Sequence, residues 1–191
     1  MSTPKENATT ENKIREIKIL ITGPMGAGKT TALASVSSIT PIKTEATNSD
    51  LAQHSKTHTT VALDYGEVAL AGGERLRLYG TPGQRRFNVM WQILAKGALG
   101  VVILIDMTRP DPIADLKDYY ADFQSVIRQS SCVIGVGRSG ENSQLSTADI
   151  AAACESLGSI LPVFAVDVRR RNDVLLLLEA LFSQIEMAAF E

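Results

Sequence analysis

The chain has little of what marks a secreted or nucleic-acid-binding protein. Its 191 residues include two cysteines, Cys132 and Cys154, and their spacing is not that of a metal site. We therefore expect reduced thiols and a cytoplasmic location. The formal net charge of −2 provides no basic face of the kind that binds nucleic acid, so we expect no nucleic-acid partner.

Long apolar runs are also missing. No stretch reaches the 18 or so apolar residues of a membrane-spanning helix. The first residues lack the apolar core of a signal peptide, and neither a myristoylation nor a prenylation signal is present. We expect no direct membrane anchor, so that any visit to a membrane would depend on a partner. The polar residues 1–13 predict a flexible tail, followed by one domain over residues 14–191.

One glycine-rich stretch organises the rest of the sequence, Gly23-Pro24-Met25-Gly26-Ala27-Gly28-Lys29-Thr30, which fits the pattern G-x-x-x-x-G-K-[ST]. A β-branched run precedes it, and residues 29–38 contain neither Gly nor Pro, so the context is strand, loop and helix. Such a loop turns successive backbone N–H groups toward one phosphate at a helix N-terminus. Lys29 would reach the β- and γ-phosphate oxygens, and the Thr30 hydroxyl would bind Mg²⁺. The alternative is a glycine-rich turn with an exposed lysine.

The whole pattern predicts an α/β fold with six strands and five helices. The strands are expected near residues 15–22, 60–70, 74–79, 98–105, 132–136 and 160–166, and residues 39–59 form a long irregular loop. This order predicts a doubly wound, mostly parallel sheet with one antiparallel edge strand and helices on both faces. Ligands bind beyond the carboxyl ends of the strands in such sheets. The phosphate loop, the long loop and the loop at Gly80 all fall at that edge.

Three further segments resemble those of the Ras-like small GTPases. Thr60-Val61-Ala62-Leu63-Asp64-Tyr65 is similar to the T-I-G-V-D-F that closes switch I in Rab-type members. Gly80-Thr81-Pro82-Gly83-Gln84 resembles the D-T-A-G-Q that opens switch II, and Val166-Asp167-Val168-Arg169 lies where the S-A-K loop touches the base. The resemblance covers residues 14–188. It implies a P-loop small G-domain and a Mg²⁺-dependent molecular switch that binds GTP or GDP and hydrolyses GTP.

The resemblance also implies roles for individual residues. Thr60 would bind Mg²⁺ together with Thr30 and sense the γ-phosphate. Gln84 would orient the attacking water, while Lys29 and the Gly83 amide would contact the γ-phosphate. Thr60 as a plain strand residue and Gln84 as a solvated turn residue are the alternatives. The implied nucleotide-binding residues are Gly23, Met25, Gly26, Ala27, Gly28, Lys29, Thr30, Thr31, Thr60, Gly83, Arg138, Asp167 and Val168.

Within the superfamily, the sequence looks like bacterial Ras-like and Arf-like proteins related to the gliding-motility GTPase. The shared features are Gly28-Lys29-Thr30-Thr31 and a P-G-Q switch II without the usual acid. That group commonly pairs with Roadblock-domain proteins, so the resemblance implies a partner of this class acting on the switch loops. Asp64 and Asp106 are interpreted as structural, since Asp64 is expected on a hairpin strand far from the phosphate loop.

Three positions depart from the family pattern. Gly80 stands where the family has its Mg²⁺-water aspartate, which predicts weaker Mg²⁺ binding. Gly137-Arg138-Ser139-Gly140 replaces the guanine-reading N-K-x-D, so ATP is not excluded, although Arg138 could stack on a purine. Met25 would crowd the γ-phosphate, which predicts slow hydrolysis. Two rival functions stay open: a non-catalytic interaction protein of the same fold, and an ATPase or kinase-like phosphotransferase.

Overall fold

A computed structural model describes residues 16–47, 60–70, 72–83, 88–140 and 145–188. The predicted tail at residues 1–13 and the predicted catalytic Gln84 lie outside these ranges. The strands are β1 (Glu16–Thr22), β2 (Ile42–Thr47), β3 (Thr60–Ala69), β4 (Arg75–Gly80), β5 (Gly100–Asp106), β6 (Ser131–Gly137) and β7 (Val163–Ala165). The helices are α1 (Lys29–Val36), α2 (Asn88–Ala95), α3 (Pro112–Ile127), α4 (Thr147–Ser156) and α5 (Arg171–Ala188).

Within the described ranges, one sheet of seven strands runs in the order β2-β3-β4-β1-β5-β6-β7. The strands from β4 to β7 pair in parallel. β3 is antiparallel to both of its neighbours, β2 and β4. The predicted fold class, a mostly parallel α/β sheet of the P-loop small G-domain kind, is confirmed.

The strand count changes from six to seven, because β2 lies in the segment predicted to be an irregular loop. β2 pairs with β3 from Ile42↔Tyr65 to Thr47↔Thr60 and forms the edge of the sheet. The reversed strand, β3, therefore lies one place in from the edge. An edge strand is held by backbone hydrogen bonds, so its side chains need not alternate between apolar and polar. For this reason the polar residues of β2 show no strand-like alternation in the sequence.

The continuous apolar runs belong to strands that are covered on both faces. In β5, Val101, Ile103 and Ile105 join a core cluster that includes residues of α3 and α4, while Val102 and Leu104 join a second cluster with residues of α1 and α5. Helices thus cover both faces of the central strands, which explains why their sequences show no polar alternation.

Side chains of types that favour a helix N-terminus cap two of the helices. The Asp111 side chain accepts a hydrogen bond of 2.8 Å from the Ala114 amide, with Pro112 as the first helical residue of α3. Ser146 and Asp149 form a reciprocal capping box at α4. Among the described residues, no helix is long and apolar enough to cross a membrane.

Because the strands from β4 to β7 are parallel, their carboxyl ends meet at one edge of the sheet. The phosphate loop follows β1, residues 81–83 follow β4, and Asp106 ends β5. Arg138 and Asp167 lie just beyond β6 and β7. The topology therefore gathers every candidate segment of the described chain at this edge.

Candidate nucleotide-binding site

The phosphate loop has a conformation that depends on glycine. Gly23, Gly26 and Gly28 have φ values of 137°, 87° and 90°, a region that other residues rarely adopt. A Cβ atom on Gly23 would lie 2.2 Å from the Leu104 carbonyl oxygen. Gly28 is the N-cap of α1 and provides no side-chain cap. The first amides of α1 are therefore open to an anion.

Lys29 lies under this loop with its ammonium group buried. The residue is only 9 % exposed, and Nζ donates hydrogen bonds of 2.8 Å to the carbonyl oxygens of Gly23 and Pro24. Burial lowers the pKa of Lys29 to about 8, while the negative charge of Asp64 raises it. A bound phosphate would supply the further negative charge that favours the protonated form.

Asp64 corrects the sequence interpretation, which placed it far from the loop. Its Oδ2 accepts a hydrogen bond from the Thr30 hydroxyl, and the residue is 9 % exposed. Asp64 pairs with Gly80 across β3 and β4. A Cβ atom on Gly80 would lie 3.0 Å from Asp64 Cβ and 3.5 Å from its Oδ2. The Asp64 carboxylate thus occupies the space beside position 80 in which the family aspartate was expected.

The Thr30 and Asp64 oxygens suit Mg²⁺, which prefers hard oxygen ligands and keeps several waters of its own. A hydroxyl that donates its proton to a carboxylate turns its lone pairs toward a cation. Among the described residues, no group of three or more His, Cys, Asp or Glu side chains could hold a metal ion. An ion here would therefore also need phosphate oxygens and water. Of Thr60, the other predicted ligand, only the backbone is described, as the first residue of β3.

The segment after β4 lies against the phosphate loop. Thr81 donates from its amide to the Ile21 carbonyl (2.9 Å) and from its hydroxyl to Thr22 Oγ1 (2.8 Å). A Cβ atom on Gly83 would lie 2.7 Å from Lys29 Nζ and 2.8 Å from the Met25 amide nitrogen. Gly83 therefore stands next to the ammonium group that the motif assigns to phosphate.

A cavity of about 600 Å³ extends from the phosphate loop toward the other end of the edge. It joins the start of α1 to the loops that follow β6 and β7. Six of the predicted nucleotide-binding positions are among its lining residues: Ala27, Gly28, Thr31, Arg138, Asp167 and Val168. Residues predicted to bind the phosphates and residues predicted to contact the base therefore line the same cavity.

Two of the three carboxylates that line this base end are paired with arginines, while the third, Asp173, accepts a hydrogen bond of 2.8 Å from the Asp167 amide. Asp106 accepts hydrogen bonds from the Thr108 amide and hydroxyl through Oδ1, and from Arg138 through Oδ2. Asp167 is held by Arg169, with Nη2 at 2.7 Å and Nε at 2.8 Å. These bonds and the charge of Arg169 lower the pKa of Asp167 to about 2. Asp106 and Asp167 are therefore engaged by cationic groups.

Gly140 and Met25 are two positions at which the sequence departs from the small-GTPase pattern. A Cβ atom on Gly140 would meet nothing within 4 Å, so the place of the guanine-reading acid is open space. Met25, expected to crowd the γ-phosphate, is 66 % exposed.

Asp64 is the functional candidate that the sequence interpretation missed. The missing acid at Gly80 and the hairpin that pairs β3 with β4 are both visible in the sequence. Aligning the two strands in register would have placed a carboxylate beside Gly80.

Comparisons with known proteins support nucleotide binding. The model of a family described as "Conserved hypothetical ATP binding protein" matches residues 21–134. The GTP-binding protein ypt4 of Schizosaccharomyces pombe is 25% identical over 148 residues, 72% of this chain and 58% of that protein. The Ras-related protein RABC1 of Arabidopsis thaliana is 31% identical over 107 residues, 54% of this chain and 44% of that protein.

A third relative, the Ras-related protein RabC of Dictyostelium discoideum, is 25% identical over 129 residues, 65% of this chain and 60% of that protein. The chain spans about half the length of these relatives. The fold and the relatives together support a P-loop NTPase of the small-GTPase kind. The family match covers more than half of the sequence, so the chain belongs to the family of conserved hypothetical ATP binding proteins.

Proposed function

We propose that this protein is a Mg²⁺-dependent molecular switch that binds GTP and hydrolyses it slowly. The observation that carries the proposal is the meeting of Lys29, Thr30 and Asp64 beneath an open helix N-terminus, with Gly83 beside them. An ammonium group, backbone amides and paired oxygen ligands are the components that phosphoryl transfer requires.

Each residue contributes by binding or orientation. The loop amides and the Lys29 ammonium hold the β- and γ-phosphates and balance the charge that spreads over the phosphate oxygens during transfer. Thr30 and Asp64 would hold Mg²⁺, which supplies charge neutralisation to the phosphate oxygens. Thr60 would be a further ligand, and Gln84 would orient the attacking water. The switch segments would be residues 39–60 and 81–96, ordered by the γ-phosphate.

ATP is the second candidate nucleotide, and two observations favour it. The matching family is described as ATP binding, and two of the acids at the base end, Asp106 and Asp167, are paired with arginines. Guanine is distinguished by a carboxylate that accepts from its N1–H and 2-amino groups. A site with such polar pairing can discriminate by about 10⁴-fold. Because Gly140 replaces the family acid and Asp106 and Asp167 are paired with arginines, we expect the preference between guanine and adenine to be small.

Binding and turnover measurements on the full chain test the proposal. GTP, GDP, ATP and ADP would be titrated by calorimetry with and without Mg²⁺, followed by phosphate release. We expect Mg²⁺-dependent binding and single-turnover rates well below about 1 s⁻¹. Lys29→Ala, which keeps the loop backbone, is the control and should abolish binding. Absence of binding in the wild type would favour a non-catalytic interaction protein, and strong ATP preference would favour the ATPase.

The partner and the subgroup belong to the same proposal. We infer kinship with the bacterial gliding-motility type from Gly28-Lys29-Thr30-Thr31 and the P-G-Q of switch II. A Roadblock-domain protein would then bind the switch segments. Co-purification with such proteins, in the presence of a diphosphate or a non-hydrolysable triphosphate, would test this, and binding that ignores the nucleotide would contradict it.

A further inference from the structure

Two aromatic side chains hold the backbone of the segment after β4. Trp91 Nε1, from α2, donates a hydrogen bond of 2.9 Å to the Pro82 carbonyl oxygen. The Tyr119 hydroxyl, from α3, donates one of 2.8 Å to the Gly83 carbonyl oxygen. Two successive carbonyl groups are thus fixed toward the helices.

Because the peptide bond is planar, the hydrogen bond to the Pro82 carbonyl group also fixes the direction of the Gly83 N–H group. The Pro82–Gly83 peptide is trans, since none of the described peptide bonds is cis. The C=O and N–H groups of a trans peptide point in opposite directions. Because the Pro82 carbonyl points toward Trp91, the Gly83 N–H points away from it. Gly83 itself lies against Lys29 and Met25 of the phosphate loop.

The donor is rigid because it belongs to the core. Trp91 is 1 % exposed, and its ring centroid lies 5.5 Å from that of Phe123 and 5.2 Å from that of Tyr119. Aromatic rings packed at these separations fix one another. The carbonyl of Pro82 is therefore oriented by a side chain that has no room to turn.

We propose that Trp91 is a positioning residue that aims the Gly83 amide at the terminal phosphate of a bound nucleoside triphosphate, with Tyr119 as a second clamp on the same segment. The inference rests on the proposed function. Lys29 marks where the γ-phosphate lies, and the amide beside it is a donor that a diphosphate cannot use. Trp91 thereby favours the triphosphate over the diphosphate without touching either.

The test compares Trp91→Phe with the wild type. Phenylalanine retains an aromatic ring and removes the N–H donor. The measurement is the dissociation constant of a diphosphate and of its non-hydrolysable triphosphate analogue, for both guanine and adenine. We expect the preference for the triphosphate to fall about 10-fold, less than the effect of deleting a phosphate donor outright. Diphosphate affinity should stay within about 3-fold, because the loop amides and Lys29 are untouched.

Phe123→Leu is the matched control, since it disturbs the same aromatic cluster without removing a hydrogen bond to the segment. It should lower the melting temperature and leave the triphosphate preference unchanged. Tyr119→Phe, which removes one oxygen, provides a second readout if Trp91→Phe does not fold, and it should also lower the preference.

An unchanged preference in folded Trp91→Phe, or an equal change in Phe123→Leu, would overturn the positioning role. If Trp91→Phe does not fold, an unchanged preference in Tyr119→Phe overturns it. A wild type that binds neither nucleotide would instead overturn the proposed function on which the inference rests.

Discussion

At the residue scale, the buried ammonium group of Lys29 dominates the phosphate end of the site. Its pKa is lowered to about 8 from 10.5, first by burial and also by Arg109, against the attraction of Asp64. Below pH 8 the folded and unfolded chains both hold this proton, so the penalty for burying the charge is fully present. As the pH rises from 8 to 10.5, the unfolded chain holds the proton more often than the folded chain does. The penalty is relieved over this range, so the free energy of unfolding rises.

Nucleotide affinity should show the opposite trend. Raising the pH from 7 to 9 removes the Lys29 proton, so the affinity should fall about 10-fold if only the protonated form binds phosphate. Calorimetric titrations across this range would measure it. Lys29→Arg keeps its charge throughout and should bind more weakly with a flat pH profile. Parallel pH profiles for the two proteins would assign the effect to another group.

Asp64 is the second residue whose role depends on its neighbours. Asp64→Asn keeps the shape and removes the charge beside Thr30. We expect the gain in nucleotide affinity on adding Mg²⁺ to fall by about 10-fold or more, as for other changes at residues around a metal. Titrations with Mg²⁺ and with a chelator would show it. Glu67→Gln removes a charge on the same strand and should leave the Mg²⁺-dependent gain in affinity unchanged. If both variants lost this gain equally, the cause would be a general effect of charge.

At the scale of the element, local sequence decides where helices begin. Asp111 caps α3 through the Ala114 amide, and Pro112 follows it. Asp111→Ala should destabilise the protein by about 1 kcal/mol, which corresponds to a melting temperature lower by about 2–4 °C for a chain of this size. Asp111→Asn keeps a capping oxygen and should melt close to the wild type. Thermal unfolding monitored by circular dichroism compares the two.

At the scale of the whole molecule, the base end is assembled from loops that are distant in sequence. Arg138 follows β6 and pairs with Asp106 of β5, while Asp167 follows β7. Gly140→Asp would introduce a carboxylate into open space two residues after Arg138. We expect the preference for guanine over adenine to rise by about 100-fold, part of the discrimination that paired polar groups provide.

Competition binding of GDP and ADP measures this preference. Ser139→Asp adds the same charge to a neighbouring residue of the cavity and is the control. If both variants changed the preference equally, charge alone would be responsible. If the wild type already discriminated by more than about 10³-fold, the base would be read by groups other than a carboxylate at position 140.

The sequence by itself determined the phosphate loop, the α/β alternation and the helix caps. These depend on neighbours in the chain: glycines that permit unusual φ values, buried runs, and side chains that reach amides three residues away. Only the tertiary structure decided that β2 is a strand, that Asp64 lies beside Thr30, and that Trp91 holds the Pro82 carbonyl. Each of these requires strands or helices to be placed side by side, and that placement follows from the packing of the whole sheet.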